Sequence, residues 1–218
     1  MMNHLPLQCS PLDTILGGGL EQRIITELFG EAGTGKTNVC LQAARECALS
    51  GKKVAYIDSE GVSMQRLHQI LPEENQDNLL KNILIFSPTT QSDQEKMIQN
   101  AIKIQDVQLI IVDTINMFYR LHLDENKEEC MRSFTRQIAC LQKAARDQNL
   151  YVLVVEQVFT DKTGDVKPFT NRDVEHLVKT VVKLEKNGVN KRKATIMKHR
   201  SQPEGKSSVF QITQEGLN

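Results

Sequence analysis

Runs of consecutive apolar, largely β-branched residues recur along the chain at 24–29, 54–58, 83–87, 109–113 and 151–158. Because they are continuously apolar and do not alternate, they predict strands buried on both faces of a parallel sheet. Between them the apolar positions fall at helical spacing. Residues 36–50 read as a helix stopped at Gly51, and 91–104 as a helix with Met97, Ile98, Ala101 and Ile102 on one side. Residues 126–148 place Met131, Phe134, Ile138, Leu141 and Ala145 three and four apart, the pattern of a long amphipathic helix. A shorter helix over 10–16 has Ser10 as N-cap, Pro11 in its first turn and Gly17 as its stop.

Beyond Val158 the pattern changes. Residues 159–171 are polar and turn-rich, and 180–184, 194–198 and 209–213 read as three strands. KNGVNK forms a hairpin turn between the first two. The prediction is an α/β fold: a mostly parallel central sheet with a C-terminal antiparallel extension, helices on both faces, and one domain over 1–218.

Composition sets the bounds. The 218 residues, 39% hydrophobic, suffice for such a core. The longest apolar run, LIIV at 109–112, is too short to cross a bilayer, and MMNHLPLQCS lacks the regions of a signal peptide. The expectation is a cytoplasmic protein without membrane association. Five cysteines with no CxxC spacing are expected to be reduced and mostly buried. The 27 basic and 27 acidic residues cancel, so there is no global polyanion-binding signature. The balance is uneven, however: 179–206 holds nine basic side chains against two carboxylates, a net +7. That segment is either a local phosphate-facing surface or a set of solvated faces in an edge hairpin.

The sharpest chemical signal is GEAGTGKT, comprising Gly30, Glu31, Ala32, Gly33, Thr34, Gly35, Lys36 and Thr37, directly after one predicted strand and before a helix. It matches the P-loop pattern in the context that pattern requires. The glycines let successive backbone N–H groups turn toward a β-phosphate at the positive end of the helix. Lys36 adds a point charge for the β- and γ-phosphates, and the Thr37 hydroxyl is a Mg²⁺ ligand. LIIVD carries Asp113 to the carboxyl end of a strand, where it can hold Mg²⁺ of an ATP complex. Glu60, two residues past the 54–58 strand, is the candidate for orienting an attacking water, with Asp58 as competitor. Gln157, at the end of the last parallel strand, could sense the γ-phosphate.

The segments SPLDTILGGGLEQRIITELFGEAGTGKT, VAYIDSEG, LIIVDTINMFYR, VVEQV and RSQPEG resemble, in order and spacing, the RecA-like recombinase core of archaeal and eukaryotic strand-exchange proteins. The chain is most similar to the short archaeal paralogues of the RadA recombinase. The resemblance implies a RecA-like P-loop NTPase core that binds ATP and Mg²⁺, with Asp113 as the Walker B carboxylate, Glu60 catalytic and Gln157 the γ-phosphate sensor. It implies that Arg120 begins a first DNA-binding loop and that 159–171 forms a second. His176 would couple nucleotide to that second loop, and Lys198 and Arg200 would reach a neighbouring copy's ATP. Lys191, Arg192 and Lys193, in the basic hairpin, are further DNA-contact candidates, and the predicted topology sets that hairpin remote from the P-loop. The implied partners are single-stranded or branched DNA, a full-length RadA-type recombinase or other recombination proteins, and further copies of this chain.

Three departures refine the expectation. The core begins within ten residues, where longer family members carry a helix-hairpin-helix domain and a Phe-x-x-Ala motif. Glu156 stands where the family has an amide, and KPFTNRDVE replaces a glycine-rich stretch. The expected function is therefore an ATP- and DNA-binding accessory of homologous recombination and repair, with weak Mg-dependent ATPase activity and no strand exchange of its own. The rival reading is a KaiC-like signalling ATPase whose nucleotide state gates protein contacts without DNA.

Overall fold

A computed structural model describes residues 3–121, 127–160, 166–167 and 172–218. The first half runs β1 (His4–Leu5), α1 (Ser10–Leu16), β2 (Leu20–Glu21), β3 (Ile25–Gly30), α2 (Lys36–Leu49), β4 (Lys53–Asp58), α3 (Met64–Ile70), α4 (Gln76–Lys81) and β5 (Ile83–Phe86). It continues through α5 (Gln91–Ala101), β6 (Val107–Asp113), α6 (Met117–Leu121), α7 (Lys127–Gln148) and β7 (Tyr151–Gln157). The last part holds β8 (Phe159–Thr160), β9 (Val166–Lys167), α8 (Arg172–Leu177), β10 (Thr180–Lys186), β11 (Lys191–Lys198), β12 (Ser207–Thr213) and β13 (Gly216–Leu217).

Among the described residues the main sheet has the order β13-β12-β11-β10-β3-β7-β6-β4-β5. Strands β10, β3, β7, β6, β4 and β5 pair in parallel, and β11, β12 and β13 extend the β10 edge antiparallel. The continuous apolar runs lie in the middle of this sheet. In β6, Leu109 and Ile111 join the core against α1 and α2, while Ile110 and Val112 join the core against α5 and α7. The period-2 pleat therefore needs apolar residues at every position, because helices cover both faces. The α7 stripe of Phe134, Ile138, Leu141 and Ala145 is fully buried, as its spacing predicts. No helix among the described residues is long and apolar enough to cross a membrane. The five cysteines are free, four of them buried.

Several boundaries differ from the sequence reading, each for a local reason. Ser10 is the first residue of α1 and not its N-cap; Cys9 holds that position without a side-chain cap bond. Asp13 instead turns back, its Oδ1 accepting from the Leu7 N–H at 2.8 Å. Helix α2 ends at Leu49, and Gly51 lies one position past the Ser50 cap at φ 76°. The Gly51 and Lys52 N–H groups return to the Ala48 and Cys47 carbonyls, which closes the helix end. Strand β11 begins at Lys191 rather than 194, because Lys191 to Lys193 find backbone partners on β12.

One buried carboxylate makes stability depend on pH. Glu27, in the middle of β3, is 3% exposed, and its Oε1 has no hydrogen-bond partner among the described residues. Burial pushes its pKa up to about 7 against the opposing pull of Lys198. Folded protein thus holds this proton up to about pH 7, whereas the unfolded chain releases it near the ordinary 4.5. The group's contribution is fully present below pH 4.5 and is lost as pH rises through 7. A Glu27→Gln variant should match the wild type near pH 4.5 and exceed it above pH 7 by about 3 kcal/mol, at ~1.4 kcal/mol per pKa unit. Urea unfolding of both proteins across this range checks it; parallel stability profiles would contradict the assignment.

Candidate functional site

The P-loop forms where β3 ends and α2 begins. Gly30 follows Phe29 out of the sheet so closely beside β10 that a Cβ there would stand 2.3 Å from the Leu184 carbonyl oxygen. Gly33 at φ 77° and Gly35 at φ 94° take the left-handed conformation that glycine adopts without penalty. Gly35 is also the N-cap of the 14-residue α2, so the unpaired N–H groups of its first turn open onto the loop. Thr34 closes the turn through its hydroxyl to the Glu31 carbonyl at 2.8 Å. Lys36 is 7% exposed, with its Nζ donating to the Gly30 and Glu31 carbonyls at 2.7 and 2.9 Å. A cavity of about 160 Å³ lies here, lined by Gly33, Gly35, Lys36, Thr37, Glu60 and Gln157 among others.

The carboxyl ends of β4, β6 and β7 bring their polar residues to the same place. Asp113 is 2% exposed; its Oδ2 accepts from the Tyr56 hydroxyl at 2.8 Å, and its Oδ1 is buried without a hydrogen-bond partner among the described residues. Burial pushes its pKa up to about 6, with hydrogen bonding from Tyr56 and Thr37 pulling the other way and Glu60 and Asp58 adding to the rise. A buried carboxylate oxygen without a partner among the described residues, on a side chain next to the Thr37 hydroxyl, offers oxygen donors of the kind a hard divalent cation takes. Glu60 Oε1 accepts from Thr114 Oγ1 at 3.0 Å and from Gln157 Nε2 at 2.5 Å, so the two candidates are joined. Asp58 is committed elsewhere: its carboxylate accepts the N–H groups of Glu60, Gly61 and Val62 at 3.2, 2.9 and 2.6 Å and shapes the loop that presents Glu60.

Several residues of this constellation escaped the sequence reading. Asn116 holds the Gln157 backbone from both sides, its Nδ2 to the carbonyl at 2.8 Å and its Oδ1 from the N–H at 3.2 Å. Ser59 exchanges hydrogen bonds with the Thr114 backbone, next to a cis Asp113–Thr114 peptide. Arg66 ties α2 to the β12–β13 turn through Asn38 Oδ1 and the carbonyls of Thr213 and Gln214. Asn116 and Ser59 are single polar residues just past strand ends and Arg66 lies in the short helix α3, none of them with a motif of its own.

The basic hairpin contradicts one expectation outright, because it is not remote from the P-loop. Arg192 Nε donates to the Gly33 carbonyl at 3.1 Å, and a Cβ on Gly33 would meet Lys186 Cε at 3.2 Å. The cause is sheet register. Strand β10 pairs directly with β3, so its end and the start of β11 lie beside the loop that leaves β3. Alternation along β11 then separates the three cations. Ala194 and Ile196 face the α1–α2 core, and Arg192 shares their face, while Lys191 and Lys193 point the other way.

Other candidates lie apart from the site. Lys198 Nζ donates to the Val178 carbonyl at 2.9 Å and to the Glu175 carbonyl. Arg200 pairs with Glu21 at 2.8 Å. Because β11 runs antiparallel to β10, both stand toward the amino end of β3, opposite the P-loop. His176 is exposed in the last turn of α8, and among the described residues no hydrogen bond joins it to Gln157. Arg120 belongs to α6, but its side chain lies outside the described residues, as do most residues of 159–171.

The Rad51 family profile matches residues 4–218. "DNA repair and recombination protein RadB" of Methanococcoides burtonii is 42% identical over 96% of this chain and 95% of its own length. The protein of the same description from Thermoplasma volcanium is 39% identical over 100% of this chain and 93% of its own length. The crystal structure of the RadB recombinase superposes with a TM-score of 0.85 at 33% identity, covering 98% of both chains.

Proposed function

The chain belongs to the Rad51 family, in its RadB group, and from that premise we propose an ATP- and DNA-binding accessory protein of recombination and repair. In this reading residues 1–218 act as one ATPase core that hydrolyses ATP slowly and does not exchange strands by itself. The single observation that carries the nucleotide assignment is the P-loop itself. Its left-handed glycines, buried Lys36 and helix N-terminus surround the cavity that Glu60 and Gln157 close.

Each residue has a role that its chemistry fits. Backbone N–H groups of 33–37 and the Lys36 ammonium would hold the phosphates. Thr37 and Asp113 would hold Mg²⁺, which when bound neutralises charge between the β- and γ-phosphates. Among the described residues no group of three or more His, Cys, Asp or Glu could hold a metal, so the nucleotide would supply the remaining ligands. Glu60 would draw a water's proton and Gln157 would report the γ-phosphate through their shared hydrogen bond. Glu156 is buried, and alternation along β7 turns it to the face of Val152 and Val154, opposite that of Gln157.

Support for DNA comes from charge placement. Lys191 and Lys193 share the face of β11 that also carries Met197, and Val209 across from Lys193 on β12. Met197 and Val209 are exposed on it. A positive, open strand face suits a phosphodiester backbone. The test is binding to single-stranded, duplex and branched DNA, with and without Mg·ATP, over a range of salt. Affinity should fall steeply with salt, because each neutralised phosphate releases counterions. Replacing Lys191 and Lys193 together by Ala should flatten the log–log slope by about 2. Binding that is indifferent to salt, or absent at low salt, would favour a signalling ATPase without DNA.

A further inference from the structure

We propose that the β10–β11 hairpin is a working wall of the nucleotide site in the same chain: Arg192 positions the P-loop, and Lys186 supplies a second cation for the nucleotide's phosphates. The inference rests on the nucleotide reading above and adds two residues to it that lie outside the P-loop motif.

Three observations carry it. Lys186 and Arg192 are register partners across β10 and β11, so two cations stand directly opposite each other on one face. Like charges in that position are unfavourable without a counter-charge. Among the described residues neither has a carboxylate partner; the nearby Glu185 is paired with Lys183 instead. The place they share is the rim of the P-loop, where Lys186 Nζ lies 3.4 Å from the position of a Gly33 Cβ. An anion bound there is the counter-charge that the pair lacks.

The second observation is the hydrogen bond from Arg192 Nε to the Gly33 carbonyl at 3.1 Å. In a trans peptide the carbonyl of one residue and the N–H of the next point in opposite directions. Holding the Gly33 carbonyl toward the hairpin therefore turns the Thr34 N–H back into the loop, where it donates to the Glu31 carbonyl at 3.4 Å and keeps the phosphate-facing turn closed. Gly33 is left-handed at φ 77°, a conformation with little intrinsic preference to hold that plane in place. Arg192 supplies the restraint.

The third is packing. A Cβ on Gly35 would stand 2.8 Å from Ile212 Cδ1 and 3.7 Å from Arg192 Cγ. The loop thus leans directly on β11 and β12 as well as on its own helix. A strand that carries Arg192 on one face and Lys191 and Lys193 on the other links the nucleotide to the open basic face. Coupling of this kind is reciprocal: a polyanion on the outer face and a nucleotide on the inner one should change each other's affinity by the same factor.

The experiment is titration of the full chain with Mg²⁺ and a fluorescent ATP analogue, for wild type, Lys36→Ala, Arg192→Ala, Arg192→Lys and Lys186→Ala. Arg192→Ala should weaken binding about tenfold, the loss of one charge-assisted hydrogen bond and the order it imposes. Arg192→Lys should recover only part of this, because an ammonium lacks the fixed fork. Lys186→Ala should cost about threefold at low salt and less at high salt, as an exposed charge does. Melting without nucleotide should stay near wild type while the rise produced by the analogue shrinks, a difference that a purely structural role would not produce. If Arg192→Ala does not fold, Arg192→Lys and Lys186→Ala decide the matter. Affinities within twofold of wild type for every hairpin variant that folds, with Lys36→Ala still defective, overturn the proposal and leave the nucleotide reading intact. Undiminished binding by Lys36→Ala overturns both.

Discussion

Replacing Lys36 by Ala is expected to lower affinity for Mg·ATP by at least about a hundredfold. Removing one partner of a buried charged pair typically costs about 3–5 kcal/mol. Here the ammonium is 7% exposed and lies inside a loop whose other donors are neutral N–H groups. The truncation also removes the Lys36 bonds to the Gly30 and Glu31 carbonyls at 2.7 and 2.9 Å, leaving the Glu31 carbonyl held by Thr34 alone. Loop conformation and electrostatic attraction are therefore lost together. Calorimetric titration measures this directly, with melting in the absence of nucleotide as the check on folding. ATP affinity within threefold of wild type would mean that residues 30–37 do not form the phosphate site.

The second large effect concerns turnover. Glu60→Gln should lower the single-turnover hydrolysis rate by about a hundredfold or more, the usual contribution of a general base, while leaving ATP affinity within about threefold. The substitution is close to isosteric. An amide can still receive the bonds from Thr114 and Gln157 at 3.0 and 2.5 Å, but it cannot draw a proton from water. Single-turnover conditions matter because the wild-type rate is itself expected to be slow. Asp58 is a poor substitute, since three backbone N–H groups already occupy its carboxylate. Turnover that survives Glu60→Gln unchanged would remove Glu60 from the mechanism and leave the Thr114–Glu60–Gln157 cluster as a structural brace.

Much of the fold is legible in the sequence because its information is local. Leu109 to Val112 in β6 are apolar at every position, and only a strand covered on both faces requires that. The left-handed glycines at 33 and 35, the lysine between loop and helix, and the carboxylate that ends β6 are likewise consecutive or near-consecutive features. Short polar helices are less legible. Helix α3 and α4, with few buried residues apiece, carry too little periodicity to separate them from loops.

What the sequence by itself determined is the set of candidate groups: a glycine-rich loop ending in Lys36 and Thr37, Asp113 at the end of a strand, Glu60 just past another, and a basic hairpin. Tertiary structure alone decided which of them meet. Thr114 and Asn116 have no motif, yet strand order places β6 between β4 and β7, so they can grip Glu60 and Gln157. Lys191, Arg192 and Lys193 are a single basic run in sequence, but the pleat divides them between two faces and the β10–β3 register carries Arg192 to Gly33. Alternation along a strand is local and could be read from sequence. The strand that becomes its neighbour is not, because pairing is settled by the packing of residues far apart in the chain, and that pairing turned a predicted remote hairpin into part of the candidate site.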